Sequence, residues 1–335
     1  MANEAINMRA HEVILGELKA FITYRPETAA LLALCGVFIV FSFIATDFLT
    51  KQAMFSIITL SSERGIVAAG VCLLLIAGHF DLSVGSVLGL TSILVAKLML
   101  DLPSSQAVPL ALFIAFAIGI LQGFTVVKLG IPSFILTLGG LLLWRGVGFV
   151  ISEGLFITVD RNDALLQIFS HRLGTGLYVT CLWFVGVVIL ATLLLQRTRL
   201  GNWIFAIGGN YRAAKTQGVP ADNVLILLFG VSAFLAGLAG TVQMARFVFV
   251  ESNRGRMLEL EIIAAAAIGG TRIWGGYGSV VGAALGVLTV SMIQVGLARS
   301  GVPGEWFDGI VGLLIVFAVM INRAVERRNL GERNE

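Results

Sequence analysis

"AGHFDLSVGSVLG", Ala77–Gly89, interrupts a long apolar run with a histidine, an aspartate and a string of serines and glycines. Its reading decides the fold. Apolar segments of membrane-spanning character lie on both sides, so the stretch is a turn followed by a helix start. Asp81 or Ser83 is placed to cap that helix, satisfying backbone donors that a helix beginning near lipid cannot leave bare. Gly85 and Gly89 then permit close packing along the next segment. Asp81 is read on these grounds as structural, and the role of His79 is left open.

Composition supports the membrane reading. Of 335 residues, 57% are hydrophobic and 13% charged, with mean hydropathy +0.94, against about 25% charged in a soluble domain. A spanning helix needs about 20 apolar residues, whereas barrel strands would alternate. The expected fold is an all-α integral membrane protein of about ten transmembrane helices, at least one of them short or broken. The segments run at about 29–47, 53–77, 82–100, 107–127, 132–151, 177–195, 223–245, 258–271, 278–297 and 305–322, the eighth being short. Residues 1–28 form a cytoplasmic tail, in which Ile14, Leu18 and Phe21 oppose Glu12, Glu17 and Lys19 as in an interfacial helix. Residues 29–322 form one membrane domain, with its longest cytoplasmic loop at 196–222, and 323–335 a second cytoplasmic tail. With the N-terminus inside, thirteen of the 23 lysines and arginines fall on the cytoplasmic side, eight outside and two, Arg64 and Arg145, within spans.

Several function classes are excluded. The histidines at 11, 79 and 171 form no HExxH motif, and Cys35, Cys72 and Cys181 lie far apart in apolar segments, where they read as small core residues. No catalytic residue, metal or cofactor is expected, and the chain is not read as an enzyme. A net charge of +3 without a dense basic block makes nucleic acid an unsuitable partner. "GNYRAAKT", Gly209–Thr216, has the length of a phosphate-binding loop, but Ala214 stands at the second glycine and no strand precedes it. If ATP is used, another subunit must bind it.

The same stretch reads better as a docking helix. Asn210 is placed to cap it, and Gly218 with Pro220 to stop it. Within the spans, "TLSSERGIV" sets Glu63 and Arg64 among apolar residues, where each charge costs roughly 2.5–3.5 kcal/mol on insertion. Ser62, Glu63 and Arg64, with Asp81 and Arg145, are the candidates to line a polar translocation path, with a helix break near 62–65. The alternative is a structural ion pair. Glu259 and Glu261 read as rim carboxylates, and Arg145 as a residue near the outer end of its span. "GSVLG" at Gly85–Gly89 recurs as "GSVVG" at Gly278–Gly282, a faint internal echo.

Four motifs, in order and at similar spacing from about residue 30 to 320, resemble one family. "GHFDLSVGS" (Gly78–Ser86), "PSFILTLGGLLLWRG" (Pro132–Gly146), "TRLGNWIFAIGGNYRAAKTQGV" (Thr198–Val219) and "LELEIIAAAAIGGTRIWGGYGSVVGAALG" (Leu258–Gly286) are similar to the permease subunits of bacterial ribose-type sugar ABC importers, the ribose/xylose/arabinose/galactose class. The resemblance implies an inner-membrane permease that pairs with a second permease subunit, a cytoplasmic ATP-binding subunit and a periplasmic sugar-binding protein. Ala206, Gly208, Gly209, Asn210, Arg212, Ala213, Ala214 and Gly218 align with the family's ATPase-coupling segment. Two departures stand out. His79 replaces the usual glycine, and "SSERG" is more charged than the family's segment, which suggests a polyol or sugar derivative as substrate. The rival reading is a proton-coupled secondary transporter of a small polar solute, with Glu63, Asp81 or His79 carrying protons.

Overall fold

Long apolar runs form helices here because only a helix satisfies its own backbone groups away from water. Their ends follow local chemistry. The computed structural model describes residues 26–174 and 176–331, so the expected interfacial helix around Ile14, Leu18 and Phe21 lies outside the described residues. Thirteen helices occur among the described residues. The long ones are α1 (Pro26–Ile44), α2 (Lys51–Ile76), α4 (Ser104–Leu129), α5 (Ser133–Ser152), α7 (Thr180–Arg197), α10 (Ala221–Phe247), α12 (Val280–Arg299) and α13 (Glu305–Gly331). Two are short and apolar, α3 (Val84–Leu98) and α11 (Leu258–Ile268); α6 (Ala164–Ser170), α8 (Arg199–Gly209) and α9 (Tyr211–Thr216) lie in connections. The hydroxyl of Thr50 caps α2 by accepting from Ala53 N at 3.3 Å, and that of Ser279 caps α12 by accepting from Gly282 N at 3.2 Å. Left-handed Gly130 (φ 66°) ends α4, and α5 opens after Pro132.

Among the described residues, seven helices are long and apolar enough to cross a bilayer: α1, α2, α4, α5, α7, α10 and α12. The two short helices are not. At 1.5 Å per residue, the 15 residues of α3 rise about 22 Å and the 11 of α11 about 16 Å, against a hydrocarbon core of about 30 Å.

Packing places α2, α10 and the short helices at the centre. Helices α2 and α10 run antiparallel: Glu63 meets Arg246, while Gly70 meets Ser232 and Leu235. Helix α10 is antiparallel to α4 as well, with Ala115 beside Gly237 and Gly123 beside Ile226. Helix α12 does the same against α2, since Arg64 reaches Ser291 and Ile76 touches Gly278. The contacts form two matching sets. Helices α3, α4 and α5 pack among themselves as α11, α12 and α13 do, while α10 lies on α4 and α3, as α2 lies on α12 and α11. Because the equivalent helices α2 and α10 are antiparallel, the repeats are inverted. The five-residue echo did not locate them: "GSVLG" lies in short α3, whereas "GSVVG" leads into long α12, and these are not equivalent elements.

Outer helices carry apolar faces. Leu31, Ile39 and Phe43 on α1, Ile135, Leu142 and Phe149 on α5, and Leu182 and Leu190 on α7 are exposed. Cys35 on α1 is exposed too, so it is not the core residue expected; Cys72 is buried and Cys181 intermediate. On one face of the bundle, the connection after α5 folds into β1 (Ile157–Thr158), α6 and a return to α7. Strand β1 pairs antiparallel with β2 (Phe249–Val250), Ile157 opposite Val250 and Thr158 opposite Phe249. Helix α9 marks the opposite face.

Candidate functional site

The interrupting stretch folds as a knot deep in the bundle. Asp81 is 1% exposed; its Oδ1 accepts from Ser83 N at 3.0 Å and Ser83 Oγ at 2.6 Å, and its Oδ2 from Ser232 Oγ at 2.9 Å. The Ser83 hydroxyl also lies 3.0 Å from Gln122 Oε1, while Phe80 N donates to Ser133 Oγ at 3.1 Å. One carboxylate thereby ties the turn to α10, and its serine neighbour ties it to α4. The expected cap is corrected here. Ser83 is the N-cap residue of α3 but makes no side-chain cap bond; its hydroxyl donates towards Asp81 and Gln122 instead, and Asp81 binds the turn rather than the first helical turn. Ser232 is the twelfth residue of α10, so the knot sits well inside the bundle, not at its margin. His79 sets its ring edge-on to Phe229, centroids 6.1 Å apart, and its Nδ1 has no hydrogen-bond partner among the described residues.

Helix α3 therefore begins in the interior, and so does α11. Alongside α5, α3 runs parallel, with Ser83 near Gly140 and Lys97 3.7 Å from Glu153. Alongside α2, α11 also runs parallel, with Glu261 2.8 Å from Arg64 and Thr271 3.4 Å from Cys72. Their N-termini meet. A Cβ on Gly85 would overlap Gly255 O and Glu259 Oε2, so only glycine permits this approach. Two half-helices aimed at each other bring their positive dipole ends together, which favours acidic groups nearby. Glu259 and Glu261 in the first turn of α11, and Asp81 before α3, supply them.

Two ion pairs flank this junction. Glu63 binds Arg246, whose guanidinium lies 3.9 Å from the Phe247 ring centroid. Arg64 binds Glu261 at 2.8 Å and lies over the Phe307 ring at 6.0 Å. Arg145, the thirteenth residue of α5 rather than one near its end, is the guanidinium whose charge acts on Glu259. The expected break at 62–65 does not occur: α2 is continuous from Lys51 to Ile76. Both charges find counter-ions on other helices, and Ser62 donates to Ile58 O at 2.6 Å within α2, so no backbone bond needs to be given up. Glu259 and Glu261 are also corrected; they are 5% and 7% exposed, not rim residues, because α11 starts in the interior. Of the expected path residues, Arg64 and Arg145 converge on the α11 start, Asp81 lies before the α3 start, and Ser62 and Glu63 are engaged in packing. Ser232, Gln122 and Ser291 were missed. Their signal was a lone polar residue in an apolar helix, shared with many serines that only bond their own backbone.

On the opposite face, α8 and α9 form a short stiff unit. Thr198 caps α8 by accepting from Gly201 N at 3.3 Å. Asn210 caps α9 by accepting from Ala213 N at 3.0 Å, and Gly218 follows in a left-handed turn (φ 84°). Asp222, in the first turn of α10, receives the Tyr211 hydroxyl at 2.5 Å and Lys215 Nζ at 2.9 Å, with Lys128 at 3.7 Å. That hydrogen bond holds the Lys215 ammonium above its ordinary pKa. Ala206, Gly209, Asn210, Arg212, Ala213 and Gly218 are exposed, Ala214 is buried, and Gly208 faces the bundle. The phosphate-loop length of Gly209–Thr216 has no loop behind it, since Tyr211–Thr216 is helical.

Comparison with known proteins matches residues 53–319 to a family described as "Branched-chain amino acid transport system / permease component". The chain is 33% identical over 299 residues to the Ribose import permease protein RbsC of Escherichia coli (strain K12), covering 88% of this chain and 93% of that one. It is 30% identical over 309 residues to the Ribose import permease protein RbsC of Haemophilus influenzae, covering 91% and 95%. To the Fructose import permease protein FrcC of Rhizobium meliloti it is 29% identical over 336 residues, covering 97% and 93%. No solved structure matches the chain.

Proposed function

Because this chain belongs to the branched-chain amino acid transport system / permease component family, we propose that it is the membrane-spanning permease subunit of an ATP-binding-cassette importer for a sugar or related polyol. The observation that carries this reading is similarity along nearly the whole length of permeases named for ribose and fructose import. A separate ATP-binding subunit docks on the α8–α9 face, a periplasmic sugar-binding protein on the α6 face, and a second permease subunit completes the unit. The chain sits in the bacterial inner membrane with both termini cytoplasmic, its ten apolar segments forming eight long helices and two half-helices.

The path runs beside the junction of the half-helices. Arg64 and Arg145, with Glu259 and Glu261, supply its polar groups, while Ser62, Glu63 and Asp81 hold the frame around it. Half-helices with interior N-termini suit alternating access, because a small tilt of either one changes which side the junction faces. ATP-driven closure of the motor subunits moves α9, and Asp222 passes that motion to α10 through Tyr211 and Lys215.

The test is docking. Replacing Asn210, Arg212 and Gly218 should abolish co-purification of the ATP-binding subunit and uptake together, while the permease itself still purifies as a folded, monodisperse protein. Full association and full uptake in that variant would sink the assignment of α8–α9.

A further inference from the structure

The C-terminal end of α8 touches more than the start of α9. Gly208 faces inward, and a Cβ there would overlap Ile76 O and lie 2.5 Å from Gly276 N. Ile76 is the last residue of α2, from which the chain turns through Gly78 and Asp81 into α3. Gly276 lies in the connection from α11 to α12, and its N–H donates to Ile76 O at 2.8 Å. Gly275, left-handed at φ 88°, has room for hydrogen alone: a Cβ would fall 2.8 Å from Gly78 Cα and 3.0 Å from Gly208 O. Three separate segments thus meet backbone against backbone. Two of them are the turns that adjoin the two half-helices, and the third, at Gly208, is two residues before the cap of α9.

We propose that Gly208 is a positioning residue, the joint through which movement of the cytoplasmic helix pair reaches both half-helices at once. The inference rests on the reading of α8–α9 as the ATPase-docking element. Side chains in a contact can absorb a displacement by changing rotamer, but backbone in contact with backbone has no such slack. Asn210 and the clamp on Asp222 hold α9 rigidly to its neighbours, so a displacement of α9 carries Gly208 with it. Ile76 O and Gly276 N, already bonded to each other, then move as one body. Asp81 fixes the far end of the first turn to Ser232, and Cys72 with Thr271 joins the two segments at 3.4 Å. The tie through Asp222 reaches α10 and, through Lys128, α4; the joint at Gly208 reaches the turns of α3 and α11.

Gly208→Ala, assayed with the ATP-binding subunit and binding protein in proteoliposomes, tests it. The joint predicts retained association and ATP hydrolysis, with sugar taken up per ATP hydrolysed falling at least about tenfold, within the usual range of coupling effects. Gly186→Ala, at a helical glycine with nothing within 4 Å of its added Cβ, controls for the change of residue type and should keep the wild-type ratio. A wild-type ratio in Gly208→Ala overturns the joint. Loss of association in the unmodified complex would instead overturn the docking reading. Should Gly208→Ala not fold, spin labels at Gln217→Cys and Trp274→Cys in the otherwise native joint decide the matter. Their separation should hold within about 2 Å between nucleotide-free and ATP-bound states, the size of an ordinary helix shift. A larger change means that α9 moves independently of the half-helix turns, and the joint is refuted.

Discussion

Replacing Asp81 separates a structural carboxylate from one that carries charge. Its two oxygens accept three hydrogen bonds, from Ser83 N, Ser83 Oγ and Ser232 Oγ. In Asp81→Ala the Ser83 hydroxyl keeps Gln122 Oε1 at 3.0 Å. Ser232 can turn back to its own helix, as Ser61 does to Ile57 O at 2.6 Å. Ser83 N–H is left without an acceptor in a fully buried turn, at a cost of about 1–3 kcal/mol, and the lost carboxylate leaves a small cavity besides. The expected destabilisation of Asp81→Ala is about 2–4 kcal/mol. Asp81→Asn keeps an acceptor for Ser83 and offers an amide to Ser232 Oγ, which accepts as readily as it donates. Its cost should be under about 1.5 kcal/mol, the range of one exchanged neutral hydrogen bond. Thermal unfolding in detergent gives the order wild type, Asn, Ala, and uptake by the Asn variant should stay near that of the wild type. An Asn variant that unfolds like the wild type yet transports nothing would refute this reasoning, because the charge itself would then be required.

Other perturbations test neighbouring parts of the account. Glu63→Gln leaves Arg246 without its buried counter-charge, and breaking such a pair costs about 3–5 kcal/mol. Replacing both, Glu63→Leu with Arg246→Met, should restore the melting temperature, and failure to do so would contradict a structural role for the pair. Exchanging charges between Arg64 and Glu261 should rescue the fold lost in either single reversal, as judged by size-exclusion profile, while uptake stays impaired because the field at the α11 start is inverted. Lys215 titrates above its ordinary 10.5 through its bond to Asp222. On the alkaline side the clamp's contribution is therefore complete up to that value and lost as pH rises through the higher folded pKa of Lys215, while on the acid side it is lost as Asp222, held below its ordinary range by Tyr211 and Lys215, protonates. NMR titration of a labelled lysine that showed Lys215 losing its proton below its ordinary value would contradict the clamp.

Much of the helical frame was legible in the residues. The starts and ends of α2, α4, α5, α7, α10 and α12 fall within about three residues of the apolar segments read from the sequence, because lipid-length runs and terminal breakers mark them. Of the half-helices, α11 was read as the short eighth segment, whereas α3 was read as a full span at 82–100 and proved to be the 15 residues Val84–Leu98. The polar stretch "AGHFDLS" marked where α3 starts but not how deep, because its depth is set by Ser232 and Gln122 on other helices. Glu259 and Glu261 were misplaced for the same reason: a helix assumed to start at the membrane margin puts its first turn in water, whereas α11 starts in the interior. The short helix Tyr211–Thr216 was readable because caps are local, Asn210 and Gly218 acting within a few residues. The knot around Asp81 was not, since Ser232 lies 151 residues away, and the inverted repeat resides in packing, not in matching letters.

The central claim is that this permease is driven by a separate ATPase and not by an ion gradient. Uptake of radiolabelled ribose, fructose and a polyol panel into proteoliposomes holding the permease, its ATP-binding subunit and the sugar-binding protein tests it most directly. The account predicts uptake of at least one of these that requires internal ATP and survives a protonophore. Uptake that continues without the ATP-binding subunit and collapses with the protonophore would contradict it.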